Sequence, residues 1–363
     1  MRMGRCVAIC MVGILTAWTG AASLEPISLS EDGSELVEKE SGERFFAWGF
    51  NYDHDHEGRL IEDYWHDEWD KVAEDFESMK ELGANLVRVH LQFGQFMPEP
   101  GELDQDNLDQ LARLVALAED LGLYLNLTGL ACYHKEDAPA WYGALDEAER
   151  WETQAAWWKA VAEVAAGSPA VFCYDLMNEP ILTGGDDPDA WLPGEGLDGK
   201  HFVQRITRDL GERTRQEVAR AWVDALTEAI RERDEETLIT VGVIPWVFTF
   251  GGGSPLFYAE EVGENLDFAS VHFYPERGEV DKAVSALEAY DVGKPLVVEE
   301  TFPLRCDIDE LAEFIERSMP ILDGVTGFFW GKTIEDLEAM DRGIGEEMTL
   351  GWLRYFRDAA PAE

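Results

Sequence analysis

The chain has few basic residues, and this shortage restricts what the protein can bind. It holds 29 Lys and Arg against 74 Asp and Glu among 363 residues, which is a formal net charge of −45. Such a chain has no basic stripe with which to neutralise the phosphates of nucleic acid or to attach to an anionic membrane surface. We therefore expect neither nucleic acid nor anionic lipid as a partner.

Cysteine is also scarce. Of the five cysteines, Cys6 and Cys10 lie in the first 23 residues, which leaves Cys132, Cys173 and Cys306, none of them in a Cys-x-x-Cys pair. Three thiols allow one disulfide at most, and their spacing does not suit structural zinc or thiol redox chemistry.

Only the amino terminus has a long apolar run. Residues 1–23 carry Arg2 and Arg5, then an uncharged apolar run over 6–18, and then small residues. This pattern is typical of a secretory signal peptide and is too short for a membrane span. We expect export to the periplasm or the cell exterior, and a mature chain of residues 24–363 that does not insert into a membrane.

The remaining composition is that of a large globular core. Apolar residues make up 46% of the chain and aromatic residues 11%, which argues against disorder despite the charge. No linker rich in Ser, Pro or Gly divides residues 24–363, so we expect one domain and a monomer. The excess negative charge fits a solvated surface that keeps an exported protein soluble.

Short apolar runs alternate with longer amphipathic segments along this domain. Eight runs are nearly continuous in apolar residues, as parallel strands buried on both faces are. The segments between them place apolar residues at helical spacing, as Leu111, Leu114, Val115 and Ala118 do. Eight such units predict an α/β fold with a single (β/α)8 barrel, in preference to a doubly wound open sheet. The predicted strands are 45–51, 85–91, 123–130, 171–178, 238–245, 266–274, 295–301 and 324–330.

Two connections after predicted strands are longer than usual. One follows the fourth strand, over 181–212, and the other follows the fifth. In a barrel of this kind the loops that follow strands lie on the face that carries the functional site. We therefore expect these extended loops to shape it.

Polar residues occupy the carboxyl ends of the predicted strands, which is where barrel enzymes carry their chemistry. A carboxyl pair from opposite sides of a barrel can act as a general acid and as a nucleophile or base. Hydrolysis of a glycosidic bond needs such a pair. The strand-end residues are Arg88 and His90 on the second strand, Asn178 and Glu179 on the fourth, His272 and Tyr274 on the sixth, Glu299 and Glu300 on the seventh, and Trp330 on the eighth.

An ordered set of motifs over about residues 40–335 resembles glycoside hydrolase family 5, the cellulase and mannanase family. The resemblance implies a (β/α)8 retaining glycosidase, and we expect no metal and no other cofactor. The motifs are Trp48-Gly49-Phe50-Asn51, Asn85-Leu86-Val87-Arg88, Met177-Asn178-Glu179-Pro180, His272-Phe273-Tyr274 and Val298-Glu299-Glu300.

The resemblance also implies a role for each matching residue. Glu179 would be the general acid/base and Glu300 the nucleophile that forms a glycosyl–enzyme intermediate. The implied binding roles are Asn178 on the sugar 2-hydroxyl, Arg88 and Tyr274 on the nucleophile, His272 on the acid/base or substrate, and Trp330 as the sugar platform.

Two positions depart from the family pattern. The family usually has Glu-Phe-Gly or Glu-Tyr-Gly at the nucleophile, whereas this chain has Glu300-Thr301-Phe302, and the preceding Glu299 is an alternative nucleophile. Both faces of a barrel strand are buried, so alternation does not decide between the two glutamates. We favour Glu300 because the family nucleophile commonly ends the apolar run. The third strand ends at Tyr133-His134, which matches no particular subfamily. Weaker substrate-binding candidates are Asn51, His90, His134 and Trp246.

Two other functions compete with the glycosidase. Asp53-His54-Asp55-His56 after the first strand is typical of metal-dependent amidohydrolases, but these need further histidines after strands five and six and an aspartate after strand eight. Only His272 fits that set. The second competitor is a non-catalytic carbohydrate-binding barrel, which would usually lose one of the two carboxylates.

The substrate that the resemblance implies is a β-linked oligo- or polysaccharide. We expect a β-1,4-linked mannan or glucan of plants or algae, cut internally by an endo-β-mannanase or endo-β-glucanase type of enzyme. The long segment after Glu179 could either extend the cleft or close one end of it.

Overall fold

A closed ring of parallel strands forms the centre of the computed structural model, which describes residues 24–183, 190–194, 199–250 and 254–361. The predicted signal peptide, residues 1–23, lies outside the described residues. The strands are Ala47–Tyr52 (β1), Leu86–Gln92 (β2), Tyr124–Ala131 (β3), Val171–Asp175 (β4), Leu238–Thr240 with Gly242–Val243 (β5), Ala269–His272 (β6), Leu296–Thr301 (β7) and Gly324–Gly327 (β8).

The barrel closes through β5, which is interrupted at Val241. The first piece of β5 pairs with β4 and the second piece pairs with β6, both in parallel. Every other strand pairs with its sequence neighbours, and β8 pairs with β1. The (β/α)8 prediction is therefore confirmed, and each of the eight predicted runs overlaps one barrel strand.

Among the described residues, seven helices of at least 8 residues surround the strands. They are Trp69–Glu81 (α1), Gln105–Leu121 (α2), Glu147–Ala165 (α3), Arg215–Arg231 (α4), Val280–Leu287 (α5), Ile308–Ser318 (α6) and Ile344–Asp358 (α7). Between β5 and β6 the described residues form only the short helix Trp246–Thr249 and the 3-10 turn Gly263–Asn265. The other short helices and turns are Ile61–Asp63, Phe93–Phe96, Ala140–Ala144, Glu288–Tyr290, Met319–Ile321 and Ile334–Ala339.

Capping residues in the sequence explain where several helices begin and end. The Asp104 side chain accepts a hydrogen bond from the Asn107 backbone N at 2.8 Å at the start of α2, which satisfies one of the free N–H groups of its first turn. Gly122 ends the same helix with a φ of +67°, a conformation that glycine adopts without strain. None of the helices in the described part is both long and apolar enough to cross a membrane.

The amino-terminal end of the barrel is closed by a small hairpin. Its strands Ile27–Leu29 and Leu36–Glu38 pair antiparallel, and Ile27 and Leu36 pack against apolar side chains at the beginnings of the barrel strands. The strand side chains in this cluster are Ala47, Leu86, Tyr124, Phe172, Cys173, Leu238 and Val297. Because this end is filled, a substrate can approach only from the carboxyl ends of the strands.

Cysteine contributes packing and no cross-link among the described residues. Cys132, Cys173 and Cys306 are all buried and carry free thiols. The core between strands and helices instead depends on large aromatic side chains, including Trp157, Trp158, Trp222 and Trp352.

We predict that Gly129→Ala is destabilising, because a Cβ there would lie 2.3 Å from the Trp158 ring and 2.7 Å from the Trp157 ring. Overpacking of this kind costs about 1–3 kcal/mol. Urea unfolding of the two proteins measures the loss. The control is Gly143→Ala, at an exposed helical position with no atom within 4 Å, which should not reduce stability. Equal stability of the two variants would contradict the prediction.

Candidate active site

The guanidinium of Arg88, at the middle of β2, lies fully buried at the centre of the strand ends. Its Nη1 donates to Glu300 Oε1 at 2.7 Å and to Asn51 Oδ1 at 2.8 Å. Its Nη2 donates to Asp175 Oδ2 at 2.6 Å and to Asn178 Oδ1 at 2.9 Å. One cation thus links side chains from β1, β4 and β7 and fixes their orientation.

Glu179 and Glu300 face each other across the opening. His272 lies between them, with its Nδ1 at 3.1 Å from Glu179 Oε1 and at 3.4 Å from Glu300 Oε2. One oxygen of each carboxylate and one nitrogen of the imidazole all lie within 4.8 Å of one another. Tyr274 donates its hydroxyl to Glu300 Oε2 at 2.8 Å. The structure therefore brings the two predicted carboxyl groups, His272 and Tyr274 into one cluster.

Glu179 has an unusual backbone conformation. Its φ is +46°, in the left-handed region that costs free energy for any residue but glycine. Its backbone N–H donates to the Gly242 carbonyl of β5 at 2.9 Å, and the following residues Pro180–Ile181 pair with Gln204–Arg205. These contacts hold the turn that directs the Glu179 side chain toward His272.

A β-bulge separates the roles of Glu299 and Glu300. Val271 of β6 pairs with Val298 of β7, whereas the next residue His272 pairs with Glu300, so β7 has one residue more than its neighbour at this point. A bulge of this type lets two consecutive side chains turn to the same face of a strand. Glu299 and Glu300 therefore both reach the barrel interior, at different depths.

Glu299 lies below the opening and is fully buried. It accepts hydrogen bonds from Ser270 and Asn126, and its Oε2 is 3.8 Å from Arg88 Nε. Glu300 is the glutamate that contacts Tyr274 and approaches His272 Nδ1 beside Glu179. The geometry therefore supports Glu300, as the sequence favoured, over Glu299.

Opposing charges determine the protonation of the cluster. Burial by itself would lower the pKa of His272, but the carboxylates of Glu300, Glu179 and Glu299 outweigh it and raise that pKa to about 10. Burial also raises the pKa of Glu300, against the opposing effects of His272 and Arg88. The positive charges of Arg88 and His272 overcome burial at Glu299 and lower its pKa below the ordinary value. His272 is thus a cation at neutral pH, surrounded by carboxylates.

His90 is neutral, in contrast to His272. Burial, with smaller contributions from the charges of Arg88 and His272, lowers the pKa of His90 well below its ordinary value. Its Nε2 lies 3.0 Å from Asn51 Oδ1 and its Nδ1 contacts the Tyr133 hydroxyl. Nε2 also lies 3.3 Å from Arg88 Nη1, so His90 contacts three members of the buried network.

The structure does not place Trp330 as a sugar platform. Its indole is only 1% exposed, packs edge-on against Phe50 and donates from Nε1 to Asp75 Oδ1 at 3.0 Å, outside the strand ring. The half-buried Phe328, two residues earlier, lies beside Tyr274 with ring centroids 6.4 Å apart. The chain turns after β8, so that the Trp330 indole faces α1.

Of the four weaker substrate-binding candidates, two lie in the buried network and two lie outside it. Asn51 and His90 belong to the buried network. His134 is half-buried beyond the end of β3, and its neighbour Tyr133 makes the contact with His90. Trp246 is 45% exposed and stacks on Phe250, with centroids 5.9 Å apart, on the rim beyond β5.

Three residues of the cluster were missed from the sequence. Asp175 ends β4 and pairs with Arg88, Tyr133 orients His90, and Phe328 faces the opening. The position of Asp175, three residues before Asn178 at a strand end, was a signal that could have identified it. Tyr133 and Phe328 are aromatic residues among many, and only their placement distinguishes them.

The cluster Glu179, His272 and Glu300 has the donor types of a metal site. His272 Nδ1 lies 3.1 Å from Glu179 Oε1 and 3.4 Å from Glu300 Oε2, so the three groups form a compact cluster of hydrogen-bonded and ion-paired side chains. The cluster is therefore better suited to proton transfer and charge stabilisation. The Asp53–His54 motif also does not assemble a wider metal site: His54 Nδ1 lies 2.9 Å from Asp53, and its ring stacks on Phe329.

A family model covers most of the barrel. Residues 41–300 match the model described as cellulase (glycosyl hydrolase family 5). The chain belongs to glycoside hydrolase family 5. This membership makes it a glycoside hydrolase of the β-glycosidase type, in place of the amidohydrolase alternative. No curated protein matches the sequence significantly.

Solved structures share the fold at low sequence identity. An exo-β-1,4-mannosidase from an Opitutaceae bacterium has a TM-score of 0.66 at 19% identity, over 92% of this chain and 62% of its own. This chain thus spans less than two thirds of that enzyme. The β-mannanase of the blue mussel Mytilus edulis has a TM-score of 0.62 at 17% identity, over 93% and 97% of the two chains. A family 5 protein from Bifidobacterium longum, solved with Manβ1-4GlcNAc, has a TM-score of 0.60 at 17% identity, over 87% and 78%.

We predict a pH-dependent contribution of His272 to stability. The pKa of His272 rises from about 6.5 in the unfolded chain to about 10 in the folded one. Its contribution is therefore complete below pH about 6.5 and is lost as the pH rises toward 10. The difference in unfolding free energy between the native protein and His272→Gln should shrink over this range in urea titrations.

The control for this titration is His56→Gln, since His56 is an exposed residue of the loop after β1. It should leave the slope of stability against pH as in the native protein. A difference between native protein and His272→Gln that stays constant from pH 6 to 10 would contradict the assignment of the imidazolium.

Proposed function

We propose that the protein is an exported retaining β-glycosidase that hydrolyses β-1,4-linked mannosides or glucosides by a double displacement. Glu300 is the nucleophile and Glu179 is the general acid/base. The observation that carries the proposal is the short separation of the two carboxylates: one oxygen of each lies within 4.8 Å of the other and of one His272 ring nitrogen. Retaining glycosidases need carboxyl groups about 5 Å apart, whereas inverting ones leave roughly 6.5–9.5 Å for a water molecule.

In the first step Glu300 attacks the anomeric carbon and the glycosidic bond breaks. Glu179 gives its proton to the departing oxygen, so the leaving group departs as a neutral alcohol. In the second step Glu179 takes a proton from water, and that water displaces Glu300 from the anomeric carbon. Two inversions give net retention of the anomeric configuration.

Burial raises the pKa of Glu300, and three neighbouring groups oppose this effect. Arg88 and Tyr274 donate to its two oxygens at 2.7 and 2.8 Å, and the His272 cation is 3.4 Å away. These groups disperse the negative charge of the free nucleophile. They also stabilise the carboxylate as it leaves in the second step.

We assign a site with aromatic side chains to the substrate on each side of the cleaved bond. We assign the sugar platform at the reacting ring to Phe328, which lies beside Tyr274, instead of to Trp330. A cavity of about 770 Å³ next to Glu179, lined by Pro180, Ile181, Trp246 and Phe250, is the place for the leaving group. Asn178, whose amide contacts Arg88 and the Phe202 carbonyl, is adjacent to the 2-hydroxyl site that the family resemblance implies.

We favour mannosides over glucosides as the substrate. The solved structures named above are described as a mannosidase, a mannanase and a complex with a Manβ1-4 disaccharide, and this supports mannose at the reacting position. The amino-terminal 23 residues support export, and the net charge of −45 suits an exported protein that acts on a neutral substrate.

We predict that Glu300→Gly lowers the rate on an aryl β-mannoside or β-glucoside by at least about 10⁴-fold, since no nucleophile remains. Azide can enter the vacated space and attack from the same face, so the product should be the α-glycosyl azide. In Glu179→Gly the intermediate still forms, and azide should yield the β-glycosyl azide. Product configuration is read by NMR.

The comparison variant is Glu299→Gln, which removes a charge next to the site without removing the nucleophile. It should retain the ability to form the glycosyl–enzyme intermediate, detectable by mass spectrometry with a slow fluorosugar substrate. An intermediate attached to Glu299, or an α-azide product from Glu299→Gly, would show that the nucleophile is Glu299.

We also predict that Trp246→Ala weakens binding of the leaving group. Loss of one stacked aromatic side chain should raise the KM for β-1,4 oligosaccharides about tenfold, with a smaller effect on glycosyl fluorides, whose leaving group is a single atom. Leu304→Ala, at another exposed apolar side chain outside the cavity, is the matched control. An equal effect on both substrates would remove Trp246 from the leaving-group site.

A further inference from the structure

The segment that follows β4 crosses the mouth of the barrel and meets the loop that follows β1. Lys200 is only 5% exposed, and its Nζ lies close enough to Gly58 that a Cβ on that glycine would be 3.3 Å away. The backbone N of His201 donates to the Tyr133 carbonyl at 2.8 Å. The described residues 199–206 are therefore attached to the ends of both β1 and β3.

Phe202 extends this connection across the opening. Its ring lies 4.7 Å from that of Tyr133 and 6.2 Å from that of Phe328, centroid to centroid, edge-on in both cases. Its carbonyl accepts from Asn178 Nδ2 at 2.9 Å. We call residues 200–202 with Phe328 the roof, because they join the end of β4 to the end of β8 above the strand ends between them.

The roof covers one side of the reaction centre. Beneath it, Asn51, His90 and Tyr133 are buried almost completely, and Leu60 of the β1 loop packs with Ala131 and Tyr133 in a separate apolar cluster that Phe202 joins. The side chains of Leu60, Ala131, Tyr133 and Phe202 therefore pack together between the ends of β1 and β3.

The other side of the reaction centre is open. The cavity of about 770 Å³ begins at Pro180, directly after Glu179, and continues along Val243 and Ile244 at the end of β5. Trp246 and Phe250 on its rim are 45% and 63% exposed and stack on each other. The open side is thus the side of the general acid.

This asymmetry orients the substrate. Glu179 protonates the leaving oxygen, so the leaving group lies toward the open cavity, and the sugar attacked by Glu300 lies beneath the roof. In a β-1,4 chain any further glycone unit is attached at O4 of the attacked sugar, on the side opposite the cleaved bond. That unit would have to occupy the space that Lys200, Phe202 and Gly58 fill.

We propose that the enzyme acts at the chain end and releases one sugar at a time from the non-reducing terminus of a β-1,4 oligosaccharide. The inference rests on the proposed retaining glycosidase and specifies its mode of action. It replaces the sequence-based expectation of internal cleavage. The roof limits the glycone site to a single ring, and the apolar cavity with its stacked rim receives the remainder of the chain.

The test follows early products from β-1,4 mannopentaose and cellopentaose labelled at the reducing end. The native enzyme should release free monosaccharide and a labelled tetrasaccharide first, as separated by chromatography. The viscosity of a soluble mannan or glucan should fall little per bond cleaved. A spread of labelled lengths from the earliest time points, or a disaccharide as the first released unit, would overturn the proposal.

Phe202→Ala tests whether the roof is the cause. Removing the ring should raise the proportion of disaccharide and longer glycone products at least about tenfold, as expected for a pocket contact of this size. Phe250→Ala on the open side is the matched control, and it should weaken oligosaccharide binding without changing which bond is cut. An unchanged product pattern in a folded Phe202→Ala variant would remove the roof as the cause of end-specific cleavage.

The outcomes separate the two proposals. Hydrolysis with retention but with internal cuts contradicts only the mode of action. Absence of hydrolysis on every β-mannoside and β-glucoside, including aryl glycosides, contradicts the proposed function and the mode of action with it. If Phe202→Ala does not fold, as judged by circular dichroism, the product pattern of the native enzyme alone decides.

Discussion

The structure depends on one buried cation. Arg88 is fully buried, and its two terminal nitrogens bind Asp175, Glu300, Asn51 and Asn178 at 2.6–2.9 Å. Burial alone would lower its pKa, but Glu299, Asp175 and Glu300 raise that pKa well above the ordinary value. A charge at the centre of a barrel is tolerated only when it is paired and hydrogen-bonded, so these carboxylates and Arg88 require one another. Glu300 is therefore held in place by the same contact that makes the polar barrel interior stable.

The net charge of −45 lies mainly on the surface, and the charged groups of the barrel interior are a separate set. Most carboxylates lie on the outer helices and loops, where their pairs with Lys or Arg are exposed, as Glu68 with Arg59 and Glu147 with Arg213 are, and contribute little to stability. The interior holds its own local balance, in which Arg88 and the His272 cation face Asp175, Glu299 and Glu300. The acidity of the surface therefore does not bear on the chemistry, and a neutral sugar substrate is compatible with it.

The reaction centre and its access are shaped by departures from a regular barrel. The bulge in β7 turns two consecutive glutamates inward. The left-handed backbone at Glu179 sets the direction of its side chain. The break in β5 at Val241 precedes the strand end that lines the open cavity. A regular (β/α)8 repeat would place neither carboxyl group as it is placed here. Local irregularity of this kind is concentrated at functional sites because the surrounding scaffold can sustain it.

The sequence by itself determined the barrel and most of the strand-end residues, because buried parallel strands leave continuous apolar runs and each run ends in the polar group that faces the opening. It predicted Arg88, Asn178, Glu179, His272, Tyr274 and Glu300, all of which the fold brings together. Tertiary structure alone placed Glu300 at the opening and Glu299 below it, since a bulge changes which side chain reaches the opening. It alone turned Trp330 toward Asp75, placed Phe328 beside Tyr274 and brought Phe202 against Tyr133. The reason is that the path of a loop across a barrel follows from long-range packing, which no local sequence pattern records.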